Sequence, residues 1–366
     1  MTVGEDFHSR GVRMVEIEVA GGTDAPTSAV ELFQLITGHH ESSAVHVAAQ
    51  LKIADLLADG PRPVDELAAA SATDAASLLR FLRLLVSSGV LEEPRSGVFG
   101  LTDVGYHLRS DVRDSLYAVA MTLASPEHLE RWAGLADVLQ TGKTALFEKG
   151  SAVFSEPPPE VIALLSQSMT FFSTYTVGSV VDAYDFSGCS TVVDVGGGLG
   201  SLLAAVVAAN PGLRGILLDQ PFLLEAARSH LATTEGGKDI EIVAGDFFES
   251  VPAGGDLYIL KSVVHDWDDE RSVQILANCH RAMKPGGRLL LVETVCPERF
   301  DDSVASKIAA RSDVMMLLSS PGGRERTEAD FQKLLERAGF ELSRLIPVRP
   351  AWTGVQSTTI IEAVRR

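Results

Sequence analysis

A mostly parallel, doubly wound α/β sheet preceded by a helical module is the fold class this sequence predicts, on three observations. From Thr191 onward, short apolar runs rich in β-branched residues alternate with helical segments over short connections, as strands joined by crossover helices do. The first of these runs leads through a glycine turn, TVVDVGGGLG, into a helix. Residues 63–105 read as helix, helix and two short strands. With 366 residues, 46% apolar and 22% charged, the chain is long enough for two domains and a full core.

The elements follow in order. Gly, Thr, Asp, Pro and Ser crowd residues 21–28, so residues 1–27 are expected to be poorly ordered. Early acids and the lack of a continuous apolar core there argue against a signal peptide. Over 28–58, Val30, Phe33, Ile36, Val45, Ala48, Leu51, Ile53, Leu56 and Leu57 fall at helical spacing. A small domain does not readily bury both faces of such helices, which predicts a homodimer built through them. His39, His40 and His46 lack the carboxylate or cysteine spacing that completes a metal site and are read as structural or surface residues.

PVDELAAAS opens with a proline and early acids, as helix N-termini do. TDAASLLRFLRLLVSSGVLEE then gives a helix that stops at Gly89, and VLEEPRSGVFGLTDVG gives two strands around a turn with Pro94 and Gly97. Two helices and a β-wing make a winged-helix pattern, which raises the alternative of a DNA-binding regulator. Against it, the helix at about 73–88 carries only Arg80 and Arg83 as basic residues, and Glu92 and Glu93 lie in the wing. The net charge of −18 also opposes attraction to nucleic acid or anionic lipid. A dimerisation module over 28–110 is the stronger reading. Residues 111–186 form a helical connector, and 187–366 the sheet domain.

Cys189, Cys279 and Cys296 include no CxxC pair, which suits a reducing cytoplasm and argues against a disulfide framework or zinc site. No run of 18 apolar residues indicates a membrane span.

The chemistry collects where strands end, since ligands of such sheets bind beyond the carboxyl ends. Gly196, Gly198 and Gly200 allow a tight turn and a close approach to the free N–H groups of a helix start. Asp219 ends the next strand, 23 residues after Gly196, where a carboxylate accepts from both hydroxyls of an adenosine ribose. The pair fits a dinucleotide or S-adenosylmethionine. In Gly245-Asp246-Phe247-Phe248 an acid beside an aromatic suits an adenine. The fourth strand delivers KSVVHDWDDE, and Lys284-Pro285-Gly286-Gly287 leads into the fifth.

Together VVDVGGGLG, LLDQP, GDFF, LKSVVHDWDDE, KPGGRLLLVE and SPGGRERTEADF resemble the S-adenosylmethionine-dependent O-methyltransferases of the plant caffeate type and their bacterial relatives that act on antibiotic aromatics. The resemblance spans roughly residues 28–366. It implies a Rossmann-like class I methyltransferase domain, a homodimer through the N-terminal module, and a connector that contributes to the acceptor pocket. It implies donor contacts at Gly196, Gly198, Asp219, Asp246, Phe247 and Lys261, and less securely at Ser173. His265 matches the general base and Glu293 and Glu325 the acids flanking it. Leu199 stands where the plant enzymes usually have threonine. DVMMLLSSPGG keeps the methionines but not the plant pattern around them, which leaves the acceptor open.

The implied chemistry is metal-independent transfer of an activated methyl group to a hydroxyl of a small aromatic. A phenol of pKa about 10 is about one part in a thousand ionised at pH 7, so a base has roughly 4 kcal/mol to supply. A histidine, unperturbed near about 6.5, is mostly neutral at that pH and ready to accept. Glu293 and Glu325 are the candidates for fixing its tautomer, whereas Asp266 is expected to face away or cap the next helix. Met169, Phe172, Met315 and Met316 are candidates for lining an aromatic acceptor pocket. Rival readings are a carbon or nitrogen acceptor, a family member that binds the donor but hydroxylates or decarboxylates, and a nicotinamide oxidoreductase.

Overall fold

The computed structural model describes residues 26–143, 159–320, 322–349 and 358–366. Of the stretch expected to be poorly ordered, residues 1–25 lie outside the described ones.

Three helices follow Pro26: α1 (Thr27–Thr37), α2 (His39–Gln50) and α3 (Ile53–Leu56). α1 buries none of its residues, and Leu32, Phe33, Leu35 and Ile36 all stand exposed. After the short β1 (Arg62–Pro63) come α4 (Val64–Ser71) and α5 (Ala75–Ser87). Asp74 starts α5 by accepting from the Ser77 N–H at 2.7 Å, which satisfies one of the free N–H groups of the first turn. The apolar positions of α5 bury Leu78, Leu82 and Leu85 on one face. Gly89, with φ at +73°, turns the chain into the hairpin of β2 (Leu91–Arg95) and β3 (Val98–Leu101), and β1 pairs with β3. The helix–helix–hairpin order expected over 63–105 is present. Arg83 is drawn into a fork-to-fork pair with Glu93 of that hairpin, at 3.0 and 3.2 Å, so one of the two basic residues of α5 is already partnered.

The next helices are α6 (Asp103–Tyr106), α7 (Tyr117–Leu123), α8 (Pro126–Ala133), α9 (Leu135–Thr141) and the long α10 (Pro159–Ala183). Then the sheet domain begins: β4 (Thr191–Val195), α11 (Ser201–Ala209), β5 (Arg214–Asp219), α12 (Leu224–Thr233), β6 (Ile240–Ala244), β7 (Leu257–Lys261), α13 (Asp269–Ala282), β8 (Arg288–Glu293) and β9 (Val295–Cys296). It closes with α14 (Val304–Ser319), β10 (Arg326–Thr327), α15 (Glu328–Arg337), β11 (Phe340–Val348) and β12 (Thr358–Arg365).

The seven-stranded sheet has the order β11-β12-β8-β7-β4-β5-β6. β4 to β8 run parallel, and β12 lies antiparallel between β8 and β11. From β4 the chain steps outward to β5 and β6, then returns to the other side of β4 for β7 and β8. The reversal leaves a crevice at the carboxyl ends of β4 and β7, the place where such sheets take ligands. Both faces are covered: one by a core that includes Ile275, Phe331 and Trp267, the other by one that includes Val180, Leu203 and Leu290. β11 had no counterpart in the sequence reading, because its burial pattern is too irregular to show period-two alternation.

The N-terminal module holds its own core around Leu67, Leu82 and Phe99. Leu82 is wholly buried there, so Leu82→Ala should lower the urea-unfolding free energy by about 2–5 kcal/mol. Leu84→Ala, at a half-exposed site two residues on, should change it by only about 0.5 kcal/mol. Equal effects would contradict this packing.

Candidate active site

Beyond β4 the turn from Gly196 to Gly200 places three glycines at positive φ: Gly196 at +71°, Gly198 at +62° and Gly200 at +79°. Gly197 is constrained by space instead. A Cβ there would stand 2.4 Å from Asp194 Oδ2 and 2.6 Å from a Leu217 methyl group. Asp219 is buried at the end of β5 and locked by backbone: its Oδ2 accepts from Gly198 N–H and its Oδ1 from Gln220 N–H, both at 2.7 Å. Burial raises its pKa and the two N–H bonds oppose that rise. Each carboxylate oxygen keeps a further lone pair for a hydroxyl.

Phe247 closes the same crevice. A Cβ on Gly196 would touch its ring at 3.4 Å. Asp246 holds the bend by accepting from Phe248 N–H at 2.8 Å, and Asn278 of α13 donates to the Phe247 carbonyl at 2.7 Å. Trp267 is buried with its ring at right angles to Phe248, 4.7 Å between centroids, so it belongs to the core beneath the loop. Lys261 ends β7. Burial lowers its pKa, while Asp194 and Glu293 act to raise it. Asp194 is pushed up to about 7 by burial, opposed by Lys261, and its Oδ1 has no hydrogen-bond partner among the described residues.

After Lys261, Ser262 takes φ +54°, unusual for a residue with a side chain. A 3₁₀ turn from Val264 to Asp266 then carries His265. Its Nδ1 lies 3.0 Å from Glu325 Oε1 and 3.7 Å from Glu293 Oε2, and its Nε2 is 3.9 Å from Asp266 Oδ1. Glu293, at the end of β8, is itself fixed: its Oε1 accepts from Val263 N–H at 3.1 Å and Val264 N–H at 2.9 Å. Glu325 arrives from 32 residues away because β10 pairs in parallel with β9, Arg326 opposite Val295. Ser312 of α14 donates to Glu325 Oε1 at 2.6 Å. Met315 and Met316 follow at three and four positions, hence on the same helix face and half-buried.

Two expectations are corrected here. Asp266 does not face away; it turns towards the imidazole and accepts from Ser320 at 3.1 Å. Asp268 caps α13 instead, accepting from Arg271 N–H. Nor is His265 an unperturbed imidazole. Burial alone lowers its pKa, but Glu293, Glu325 and Asp266 outweigh burial and raise it to about 10. Glu293 in turn is raised to about 7 by burial, with His265 and two N–H groups opposing.

Of the other candidates, Met169 is 55% exposed on α10, and the side chains of Phe172 and Ser173 lie outside those described. Several working residues had escaped the sequence reading. Asp194 was signalled by an acid inside an apolar strand. Ser312, Ser320 and Arg326 had no comparable local signal, apart from Arg326 falling inside GGRERT.

Comparisons with known proteins agree with this geometry. An O-methyltransferase domain model matches residues 132–341, and an O-methyltransferase dimerisation domain model matches residues 33–110. The chain belongs to the O-methyltransferase family. A phenazine O-methyltransferase of Lysobacter antibioticus is 40% identical over 351 residues, 95% of this chain and all of the relative. The solved structure of LaPhzM superposes with a TM-score of 0.86 at 40% identity, covering 93% of this chain and all of that one. An 8-amino-8-demethylriboflavin N,N-dimethyltransferase of Streptomyces davaonensis is 31% identical over 90% of this chain and 95% of its own length. Solved relatives hold S-adenosylmethionine or S-adenosylhomocysteine, and this enzyme uses S-adenosylmethionine as its methyl donor. The cradle fits that donor: the space a Cβ would fill at Gly196 is bounded by Phe247, beside a backbone-locked Asp219. The dimerisation-domain match covers the helix–helix–hairpin segment read as winged-helix-like. Among the described residues, no helix is long and apolar enough to cross a membrane.

His265, Glu293 and Glu325 also bring one imidazole nitrogen and two carboxylate oxygens within 4.8 Å of one another. That donor set suits a divalent cation by count, but Nδ1 and Glu325 Oε1 are already engaged with each other.

Gly197→Ala, forced against Asp194, should lower the urea-unfolding free energy by about 1–3 kcal/mol. An unchanged unfolding free energy would show that the turn yields. Followed by NMR, His265 should titrate near 10 and move to lower pH in Glu293→Gln, because the substitution removes a charge that favours the imidazolium. A titration that stays in place would dismiss Glu293 as its cause.

Proposed function

We propose that this enzyme methylates a hydroxyl of a small aromatic natural product, with His265 as general base. The reading rests above all on the Nδ1 contact with Glu325 at 3.0 Å. A carboxylate there fixes the tautomer, leaves Nε2 to accept a proton and stabilises the imidazolium that results. Glu293, anchored by Val263 and Val264 N–H groups, faces the same Nδ1 at 3.7 Å. When bound, the donor supplies an electrophilic methyl group and a sulfonium cation whose charge favours the neutral imidazole over the charged one.

The family resemblance assigns the donor contacts to Gly196, Gly198, Asp219, Asp246, Phe247, Lys261 and Ser173. Met315 and Met316, on the face of α14 that carries Ser312, are assigned to the acceptor side, together with Met169 and Phe172. An amine acceptor is the second reading, favoured by the N,N-dimethyltransferase relative. We assign residues 28–110 to dimerisation, 111–186 to a connector that shapes the acceptor pocket and 187–366 to catalysis. The three unpaired cysteines suit a cytoplasmic enzyme.

His265→Ala should reduce methylation of a phenol of pKa about 10 by about 10²–10⁴-fold. A dinitro-substituted analogue, already ionised at pH 7, should lose little. Products are followed by mass; equal losses on both acceptors would remove the base role. The exposed apolar row of α1 is read as the homodimer contact, so Leu35→Glu with Ile36→Glu should yield a monomer by light scattering. A monomeric parent chain at micromolar concentration would contradict the homodimer.

A further inference from the structure

Three consecutive residues grip the turn that carries His265. The Arg324 N–H donates to the His265 carbonyl at 2.8 Å. The Glu325 carboxylate receives the ring Nδ1 at 3.0 Å. The Arg326 guanidinium donates to the carbonyls on either side of the histidine, Val264 O at 2.8 Å and Trp267 O at 2.7 Å. Just before them Gly323 passes so close that a Cβ would stand 2.8 Å from the His265 carbonyl oxygen and 3.1 Å from the Asp266 carbonyl carbon.

Arg326 is the member whose chemistry is least expected. Its side chain is wholly enclosed, and its remaining reach goes to Asp269 at 2.8 Å, in the first turn of α13. Burying a guanidinium is costly, and an ion pair of this kind is weak ground for stability. What the group provides is a planar fork that spans two carbonyls and a carboxylate at once, which an ammonium does not do. The turn needs such a hold. Ser262 enters it at φ +54°, a conformation that persists only when its surroundings impose it.

We propose that Arg326 is a positioning residue for methyl transfer. It touches neither donor nor acceptor; by fixing the carbonyls before and after His265 it sets where the imidazole meets Glu325 and the acceptor hydroxyl. The inference rests on the reading of His265 as the base.

The test is Arg326→Lys, which keeps the charge and removes the fork. It uses two acceptors that the parent enzyme methylates: a phenol of pKa about 10, like a tyrosine, and its dinitro-substituted analogue, ionised at pH 7. Turnover of the first should fall by about 10²-fold, as for a displacement of about 1 Å at a reacting group. Turnover of the second, and the affinity for S-adenosylhomocysteine by calorimetry, should change little. Without any acceptor, the His265 Nδ1 proton resonance should shift or broaden. Equal losses on both acceptors, or no loss and an unmoved resonance, overturn the inference. Gly323→Ala, which presses on the His265 carbonyl oxygen, should show the same split and serves if Arg326→Lys does not fold. His265→Ala run alongside separates the two readings. If it keeps full turnover of the first phenol, the base role fails. If it loses turnover while the two positioning variants do not, only the role of Arg326 fails.

Discussion

An imidazole enclosed with three carboxylates is the constraint on which the rest of the catalytic domain depends. Each carboxylate needs donors, and the chain supplies them from different elements: Val263 and Val264 N–H groups for Glu293, Ser312 for Glu325, Ser320 for Asp266. Because a buried polar group without its partner costs about 1–3 kcal/mol, the turn after β7, the end of β8 and the C-terminal end of α14 have to meet in one arrangement. The short β9–β10 ladder exists in that context to bring Glu325 to the ring. The glycines at 322 and 323 are explained by the same demand, since side chains there would collide with Asp268 and with the His265 carbonyl.

Charge balance connects this cluster to the donor crevice. Lys261 faces Asp194 and Glu293, and His265 faces Glu293, Glu325 and Asp266, which raise its pKa. An enzyme whose donor is a sulfonium gains from such an excess of acids, because fixed carboxylates stabilise a cation without the reorganisation that water requires. The strand order makes the two regions adjacent. Gly196 follows β4 and His265 follows β7, neighbours in the sheet although 69 residues apart in sequence.

The N-terminal module obeys a different logic. Its core around Leu67, Leu82 and Phe99 is complete, yet α1 leaves its whole apolar row uncovered. The match to a dimerisation domain fits that surface, and the pairing of Arg83 with Glu93 removes one of the two cations that a DNA contact on α5 would have used.

The sequence by itself determined the alternating strands and helices, the glycine turn, Asp219 and Asp246 with Phe247, each a residue type with a local conformational or chemical reason at a strand end. Glu293 and Glu325 were legible only through the family resemblance. Period and composition are local properties, so the helix read at about 73–88 is α5, within a residue or two of its ends. What only the tertiary structure decided was non-local. The antiparallel β11, the hold of Ser320 on Asp266, the donation by Ser312 and the enclosed fork of Arg326 all depend on partners about 10 to 62 residues away. The protonation of His265 was beyond the sequence for the same reason: a pKa is set by the charges and the burial around a group, and these are properties of the packed chain.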